Sequence, residues 1–131
     1  MLTARSIMTD NVVTIDKNSS IQEAIELLLL QRISGLPVTD NEGQLIGIVT
    51  EFALLAIAYD KKVVNDTIGQ HMTIDLLTVS PDDPINKVAD LCLVHRVRRV
   101  PVVENGRLLG LISRRDVLRA LYETETPVCT A

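Results

Sequence analysis

The chain has 131 residues, and 47% of them are apolar, so it is long enough for one compact domain and too apolar to be intrinsically disordered. Its formal net charge of -4 at pH 7 disfavours non-specific binding of nucleic acid by the chain as a whole. Aromatic residues make up only 2% of the chain, so Leu, Ile and Val must form most of the core.

The cysteines and the apolar runs give no sign of secretion or of membrane insertion. Cys92 and Cys129 have neither a metal-binding nor a redox spacing, and Cys92 lies in an apolar helical run typical of a small core residue. The first ten residues, MLTARSIMTD, lack the apolar stretch of a signal peptide. The longest apolar helical run, Leu27 to Leu30, is far too short to cross a bilayer. We therefore expect a soluble cytoplasmic protein without a membrane span.

The first half of the chain predicts the element order β-α-β-β-α. Ser20 and Glu23 have the spacing of a capping box, which marks the start of a helix. Short apolar runs without helical period predict strands on both sides of a turn at residues 41–43. The expected elements are a strand at Val12–Ile15, a helix from Ser20 to about Arg32, strands at Leu36–Thr39 and Leu45–Thr50, and a helix over about Glu51–Tyr59.

The second half predicts the same order. Asn105-Gly106 is typical of a hairpin turn, and Pro84 is expected in the first position of a helix that Asp83 caps. The expected elements are a strand at Leu77–Val79, a helix from Asp83 to about His95, strands at Val100–Val103 and Leu108–Ile112, and a helix opened by Ser113–Asp116.

Matching residues show that the two halves are copies of one unit. Met8-Thr9 recurs as Met72-Thr73, at an offset of 72 − 8 = 64, and other positions match at the same offset up to the turn. After the turn the offset is 63, so that Gly47 matches Gly110. We therefore expect repeat one at about 6–60, a linker at about 61–69, repeat two at about 70–123 and a tail at 124–131. Two such units can close a shared core, with clefts where they meet.

Three stretches of this sequence resemble the family of CBS-domain pairs, named for cystathionine β-synthase. They are SIMTDNVVTI, SGLPVTDNEGQLIGIVTEFALL and VRRVPVVENGRLLGLISRRDVL. The family pattern in the second and third stretches is a Pro in one strand, a Gly in the next, then Thr or Ser, and the third stretch completes it with an Asp three residues later. The resemblance covers about Met8 to Leu121. It implies an α+β fold in which two β-α-β-β-α repeats pack with pseudo-twofold symmetry.

The resemblance also implies a ligand site, because these pairs bind adenosyl compounds in clefts between the repeats. Ser113 and Asp116 match the positions that hold the ribose. Arg98 matches a basic position that often meets phosphate, and its neighbour Arg99 is a second candidate. Val13 and Ser34 match positions on the base side, and Thr9 lies near a matching position. Val100-Pro101 would form an apolar wall. The expected nucleotide-binding set is Thr9, Val13, Ser34, Arg98, Arg99, Val100, Pro101, Ser113 and Asp116.

These residue types suit the chemistry, although simpler roles explain some of them. A carboxylate can accept hydrogen bonds from two adjacent ribose hydroxyls, and a guanidinium pairs two phosphate oxygens. Ser113 and Asp116 also fit a plain capping pattern, and surface arginines are usually just solvated. Repeat one has Thr50 but carries Ala53 and Ser34 in place of the Asp and the basic residue. We therefore expect one nucleotide site per chain.

Three functions follow, in decreasing order of support. The first is a regulatory module that senses an adenine nucleotide, such as AMP or ATP, or an S-adenosyl compound. The second is a purely structural module that forms homodimers through its apolar last helices. The third is nucleic-acid binding through the arginines, which the lack of aromatic stacking residues disfavours. No catalytic set or metal-ligand spacing is visible, so we expect no enzyme activity and no required cofactor or metal. An effector protein is expected but not identified.

Overall fold

The computed structural model describes residues 2–60 and 65–125, and it has the expected α+β class. Residues 61–64 of the linker and the tail from residue 126, with Cys129, lie outside the described residues. None of the described helices has the length and apolar character needed to span a bilayer. The helices are α1 (Ala4–Ile7), α2 (Ile21–Gln31), α3 (Glu51–Tyr59), α4 (Ile85–Val94) and α5 (Arg114–Glu125), with a 3-10 turn at Ile68–Gln70. The strands are β1 (Ile15–Asp16), β2 (Gly35–Thr39), β3 (Leu45–Thr50), β4 (Arg99–Glu104) and β5 (Arg107–Ser113).

Helix α2 begins where the capping pattern predicts. The Ser20 hydroxyl accepts a hydrogen bond from the Glu23 N–H at 3.1 Å, which satisfies one of the free N–H groups of the first turn. Its apolar face is buried through Ile21, Ala24 and Leu28. The prediction for this helix is confirmed, and its cap holds the α2 face against the β-sheet of the same repeat.

The start of α4 corrects the prediction. Pro84, and not Asp83, occupies the N-cap position. The Asp83 carboxylate instead accepts a hydrogen bond from the Ser80 N–H at 2.8 Å, and its Oδ2 lies 3.2 Å from the Lys87 ammonium. The Ser80 N–H and then Lys87 hold the pKa of Asp83 below its ordinary value, against the opposing effect of burial. Asp83 therefore closes the turn before the helix, because a short carboxylate competes well for nearby N–H groups.

The first strand is shorter than the expected Val12–Ile15. Strand β1 has only two residues, which pair in parallel with β2. The Asp16 carboxylate accepts a hydrogen bond from the Asn18 N–H at 2.7 Å, and the Ser19 N–H donates to the Asp16 carbonyl at 3.1 Å. This turn ends β1, because it takes the backbone away from the sheet.

The first strand predicted for repeat two, Leu77–Val79, is also reduced. It consists of a single parallel bridge between Val79 and Val102. That bridge corresponds, at the offset of 64, to the pairing of Ile15 with Val38 in repeat one. The two repeats thus use the same parallel contact, and both predictions overestimated its length.

The two hairpins have matching backbones. Strands β2 and β3 are antiparallel, as are β4 and β5, and each pair has a register shift at the same repeat position. The shifts lie at Val38/Thr39 and at Val102/Val103. Before each hairpin one arginine has left-handed backbone, with φ of 56° at Arg32 and 57° at Arg96. The repeat seen in the sequence is therefore a repeat of backbone conformation as well.

Residues 2–9 and 66–73 form what we call the leading segments, and residues 2–9 pack against repeat two. The Ala4 N–H donates to the Asp83 carbonyl at 2.8 Å. Thr9 and Leu111 exchange two backbone hydrogen bonds, at 2.9 and 3.0 Å, which add Thr9 to the edge of β5. The N-terminal segment, which leads into repeat one, thus extends the sheet of repeat two.

Residues 66–73 make the corresponding contacts with repeat one. The Ile68 N–H donates to the Ser19 carbonyl at 2.8 Å, and Thr73 and Ile48 exchange two hydrogen bonds at 2.9 Å. Each residue in these contacts lies 64 or 63 positions along the chain from its counterpart in the contacts on repeat two. Residues 66–73 therefore pack on repeat one, and Thr73 extends its sheet.

Each leading segment also contributes to the core that it contacts. Ala4 is fully buried in the core of repeat two, and Ile68 is fully buried in the core of repeat one. The contacts between residues divide the chain into two compact units. The first-repeat unit comprises residues 13–76, and the second-repeat unit comprises residues 1–12 and 77–131. The repeat boundaries predicted above describe the sequence match, whereas the compact units cut across them.

Two glycines make room for the leading segments. A Cβ atom on Gly110 would lie 2.5 Å from the Met8 sulfur, and a Cβ on Gly47 would lie 2.5 Å from the Met72 sulfur. Such a separation is well below van der Waals contact, so any side chain there would displace the methionine. The glycines of the repeat pattern are thus explained by packing.

Candidate functional site

The hydroxyl and carboxylate expected at a ribose form a reciprocal pair at the start of α5. Asp116 Oδ2 accepts hydrogen bonds from the Ser113 N–H at 2.8 Å and from the Ser113 hydroxyl at 3.0 Å. The Asp116 N–H in turn donates to Ser113 Oγ at 3.2 Å. The capping role considered in the sequence is therefore real. Within the described residues the second carboxylate oxygen of Asp116 accepts no hydrogen bond, so it can serve a ligand hydroxyl.

The two candidate phosphate donors lie at the same end of the β4–β5 hairpin. Arg99 is the register partner of Ser113, and the Arg98 carbonyl accepts a hydrogen bond from the Arg114 N–H at 3.1 Å. The Arg98 side chain is exposed, and that of Arg99 is half-buried. The backbone of this unit thus gathers a hydroxyl, a carboxylate and cations at one strand–helix junction.

Thr9, Val100 and Pro101 belong to the same unit. Thr9 is exposed and bonded to Leu111, two residues before Ser113. Val100 and Pro101 are fully buried, and Val100 is part of the core of repeat two. Their side chains hold β4 against the core, and their part in a ligand wall stays a prediction. A run of β-branched residues has the same sequence pattern whether its side chains face a ligand or the core.

The corresponding place in repeat one has the same backbone and different chemistry. Thr50 Oγ1 accepts a hydrogen bond from the Ala53 N–H at 3.2 Å, so it caps α3 alone. The Glu51 N–H donates to the Ser34 carbonyl at 2.9 Å, as Arg114 does to Arg98. Ser34 is therefore the structural counterpart of Arg98, as the alignment predicted. Ser34 and the half-buried Val13 both belong to the first-repeat unit.

The remaining titratable candidates have structural roles. His71 Nε2 lies 2.9 Å from Asp66 Oδ2, which supplies the partner that the sequence did not reveal. His95 ends α4, where its N–H donates to the Leu91 carbonyl at 3.1 Å. Within the described part of the chain, no group of three or more His, Cys, Asp or Glu residues could hold a metal ion. Neither histidine is placed as a catalytic group.

Arg114 also lies at this junction, although it is not one of the nucleotide-binding residues expected from the sequence. Its guanidinium donates to the Arg96 carbonyl at 2.8 Å and to the Val97 carbonyl at 2.9 Å. Burial raises the pKa of the Cys92 thiol, and the positive charge of Arg114 opposes that rise. The guanidinium therefore lies near the C-terminal end of α4, where the helix dipole favours a cation. Its position in the SRRD motif was visible in sequence, but its partners are carbonyl groups, which leave no sequence signal.

Solved structures similar to this chain include two complexes with adenosyl compounds. One is CBSX2 in complex with AMP, 30% identical, with a TM-score of 0.86 over 95% of this chain and 99% of that one. Another is the CBS domain pair of protein MJ0100 in complex with 5′-methylthioadenosine and S-adenosyl-L-methionine. It is 28% identical, with a TM-score of 0.83 over 95% of this chain and 98% of the other.

Curated relatives include longer proteins. "Uncharacterized protein MJ1225" of Methanocaldococcus jannaschii is 36% identical over 89% of this chain, which spans 42% of that protein. Inosine-5′-monophosphate dehydrogenase of the same organism is 35% identical over 88% of this chain, which spans 23% of the enzyme. The chain thus matches less than half the length of these relatives. The CBS domain family model matches residues 4–60 and 67–123, so the chain belongs to the CBS domain family.

Proposed function

We propose that this chain is a regulatory module that binds an adenine nucleotide or a related adenosyl compound. The observation that carries the proposal is the junction of the second-repeat unit, where Ser113, Asp116 and Arg98 lie at one strand–helix boundary. The free carboxylate oxygen suits a ribose hydroxyl, and the exposed guanidinium suits a phosphate. The complexes of CBSX2 and MJ0100 support the ligand class.

The proposal assigns one ligand to the second-repeat unit. Ser113 and Asp116 belong to its ribose side, and Arg98 and Arg99 to its phosphate side. Thr9 lies in the same unit, next to Leu111. Val13 and Ser34 stay predictions from the family resemblance, as do a cytoplasmic location and an effector protein. The module itself performs no reaction in this proposal, and regulation would follow from ligand-dependent changes in its stability or contacts.

A thermal scan tests the proposal directly. A ligand present at about 100 times its Kd stabilises the folded state by about 2.7 kcal/mol, so AMP, ATP or S-adenosylmethionine should raise the Tm by several degrees. Calorimetry on the compound that shifts Tm most should give one site per chain. If none of these compounds shifts Tm at millimolar concentration, the chain is not an adenosyl-binding module.

We also propose that the chain forms a homodimer through α3 and α5. Helix α3 exposes Phe52, Leu55 and Tyr59, with 81%, 67% and 92% of each residue accessible. Helix α5 exposes Leu118 and Tyr122. On each helix, exposed apolar side chains at helical spacing form one face of that helix. Twofold pairing is the commonest way to cover such a face. Sedimentation equilibrium should give twice the 14.4 kDa chain mass, and a monomer mass at micromolar concentration would end this proposal.

A further inference from the structure

Arg114 makes three hydrogen bonds to three consecutive residues of the turn before β4. Its guanidinium Nη2 and Nε donate to the carbonyls of Arg96 and Val97 at 2.8 and 2.9 Å, and its N–H donates to the Arg98 carbonyl at 3.1 Å. Residues 96–98, here the 96–98 turn, are thus bound to the first residue of α5. Arg114 directly follows Ser113, so one short segment connects the carboxylate pair with the turn that carries Arg98.

Repeat one closes the same turn differently. There the N–H groups of Arg32 and Ile33 both donate to the Leu28 carbonyl, which closes the turn through the main chain. The residue in place of Arg114 is Glu51, whose carboxylate has no N–H with which to bind carbonyl oxygens. The guanidinium contact therefore occurs in the repeat that has an arginine before its hairpin strand, and not in the repeat that has Ser34.

The contact has a physical consequence for Arg98. Arg96 has left-handed backbone, which is unfavourable for a residue other than glycine and needs support from its surroundings. Two charge-assisted hydrogen bonds supply that support to its carbonyl and to the next one. A turn held in one conformation keeps the Arg98 backbone in place, so less conformational freedom is lost when its side chain binds an anion.

We propose that Arg114 is a positioning residue that presets Arg98 for the ligand phosphate, so that the second-repeat unit selects phosphorylated over neutral adenosyl compounds. This inference rests on the proposed function, since it concerns the same site. Arg114 itself is assigned no contact with the ligand. Its effect is transmitted by the 96–98 turn alone.

Calorimetry with AMP and with adenosine tests the inference, because the two ligands differ only in the phosphate. Arg114→Ala should weaken AMP binding about tenfold and change adenosine binding less than about twofold. Arg115→Ala is the matched control: it removes the same charge from the next residue, which is exposed and makes no hydrogen bond through its side chain within the described residues. It should leave AMP binding within about twofold of the wild type at physiological salt, where exposed charges are screened.

A double-mutant cycle shows whether Arg114 acts through Arg98. In an Arg98→Ala background, Arg114→Ala should cause little further loss of AMP affinity, because the residue that it positions is gone. Arg114→Lys should give only partial rescue, since an ammonium does not reproduce the fork that binds two carbonyls. Additive losses, or equal effects of the Arg114→Ala and Arg115→Ala changes, would overturn the inference.

A measurement without ligand separates this inference from the proposed function. Amide hydrogen exchange in the 96–98 turn should be faster in Arg114→Ala than in the wild type, and unchanged in Arg115→Ala. If exchange does not change, the positioning role is wrong whatever the ligand. If the turn loosens as expected but the wild type binds neither AMP nor adenosine, the proposed function and the phosphate selection fail, and only the structural contact stands.

Discussion

The two repeats have nearly the same backbone but different side chains at the junction where the last helix of each begins. Both have a left-handed arginine before the hairpin, both have a register shift at the same position, and both accept an exchanged leading segment. Repeat two has Asp116 and Arg98 at the junction, where repeat one has Ala53 and Ser34. The same fold can therefore occur twice while the side chains of the candidate site occur once, because a site depends on a few side chains and a fold on the pattern of buried ones.

The largest expected difference between the repeats is in ligand binding. Asp116→Ala removes an acceptor for two ribose hydroxyls, and hydrogen bonds to charged groups contribute about 1.5–3 kcal/mol each, so AMP binding should weaken by roughly a hundredfold or more. Calorimetry measures the loss, and urea unfolding should show a stability change of only about 1 kcal/mol from the lost cap. Asp82→Ala, at an exposed aspartate of the same unit, is the control. Wild-type affinity in Asp116→Ala would refute the assignment.

A second site should appear in repeat one if its missing side chains are restored. The combination Ser34→Arg with Ala53→Asp places the cation and the carboxylate on the equivalent backbone, and stoichiometry should rise from one AMP per chain towards two. Ala53→Asp alone should leave it at one, because Ser34 supplies no positive charge. The titration end point in calorimetry measures this change. A wild-type chain that already binds two ligands would contradict the expected asymmetry.

The glycines beneath the leading segments should be equally sensitive in both repeats. Gly47→Ala and Gly110→Ala each force a methionine away from the sheet, and overpacking of this kind typically costs about 1–3 kcal/mol of unfolding free energy. Urea denaturation measures both losses. Gly69→Ala is a milder control, since its nearest neighbour would lie 3.3 Å from the new Cβ. A loss in only one of the two variants would show that the leading segments do not pack equivalently.

The smallest expected difference is in the response to acid. The pKa of Asp83 is lower in the folded state than its ordinary value of 3.8. The ionised carboxylate therefore stabilises the fold above pH 3.8. This contribution is lost as the pH falls from 3.8 through the folded-state pKa. Asp83→Asn should cost less than about 1 kcal/mol at pH 7, because its partner Lys87 is exposed and such surface ion pairs contribute little to stability. Its difference from the wild type should vanish under strong acid. Ser19 occupies the corresponding place in repeat one, and Ser19→Ala should show no such pH dependence.

Local features of the fold could be predicted from the sequence, and long-range ones could not. The α2 helix, both hairpins and the offset between the repeats follow from capping, turn and periodicity signals that act over a few residues. The exchange of the leading segments does not, because the backbone hydrogen bonds of Thr9 and Thr73 leave no trace in residue type. The error at Asp83 has a local cause, since a carboxylate before a proline suits a turn as well as a cap.

The candidate site shows the same limit. Asp116, Ser113 and Arg98 were predicted from the family resemblance, and the comparison with repeat one shows Ala53 and Ser34 in place of Asp116 and Arg98. Val100 and Pro101 could not be classified, since a buried strand and a ligand-facing strand share one composition. The contacts of Arg114 could not be predicted because its partners are carbonyl groups, and every residue has one.

The exchange of leading segments determines the order in which the two cores can be completed as the chain is made. The first-repeat unit lies within residues 13–76, and its pairing of Ile48 with Thr73 spans only 73 − 48 = 25 residues. The pairing of Thr9 with Leu111 spans 111 − 9 = 102 residues, and loops of that length close more slowly. The core of the first-repeat unit can thus form during synthesis. The core of the second-repeat unit, which carries the candidate site, can be completed only after Leu111 has been made. A cut between the sequence repeats would leave neither fragment with all of its core, while a fragment of residues 13–76 would keep its own.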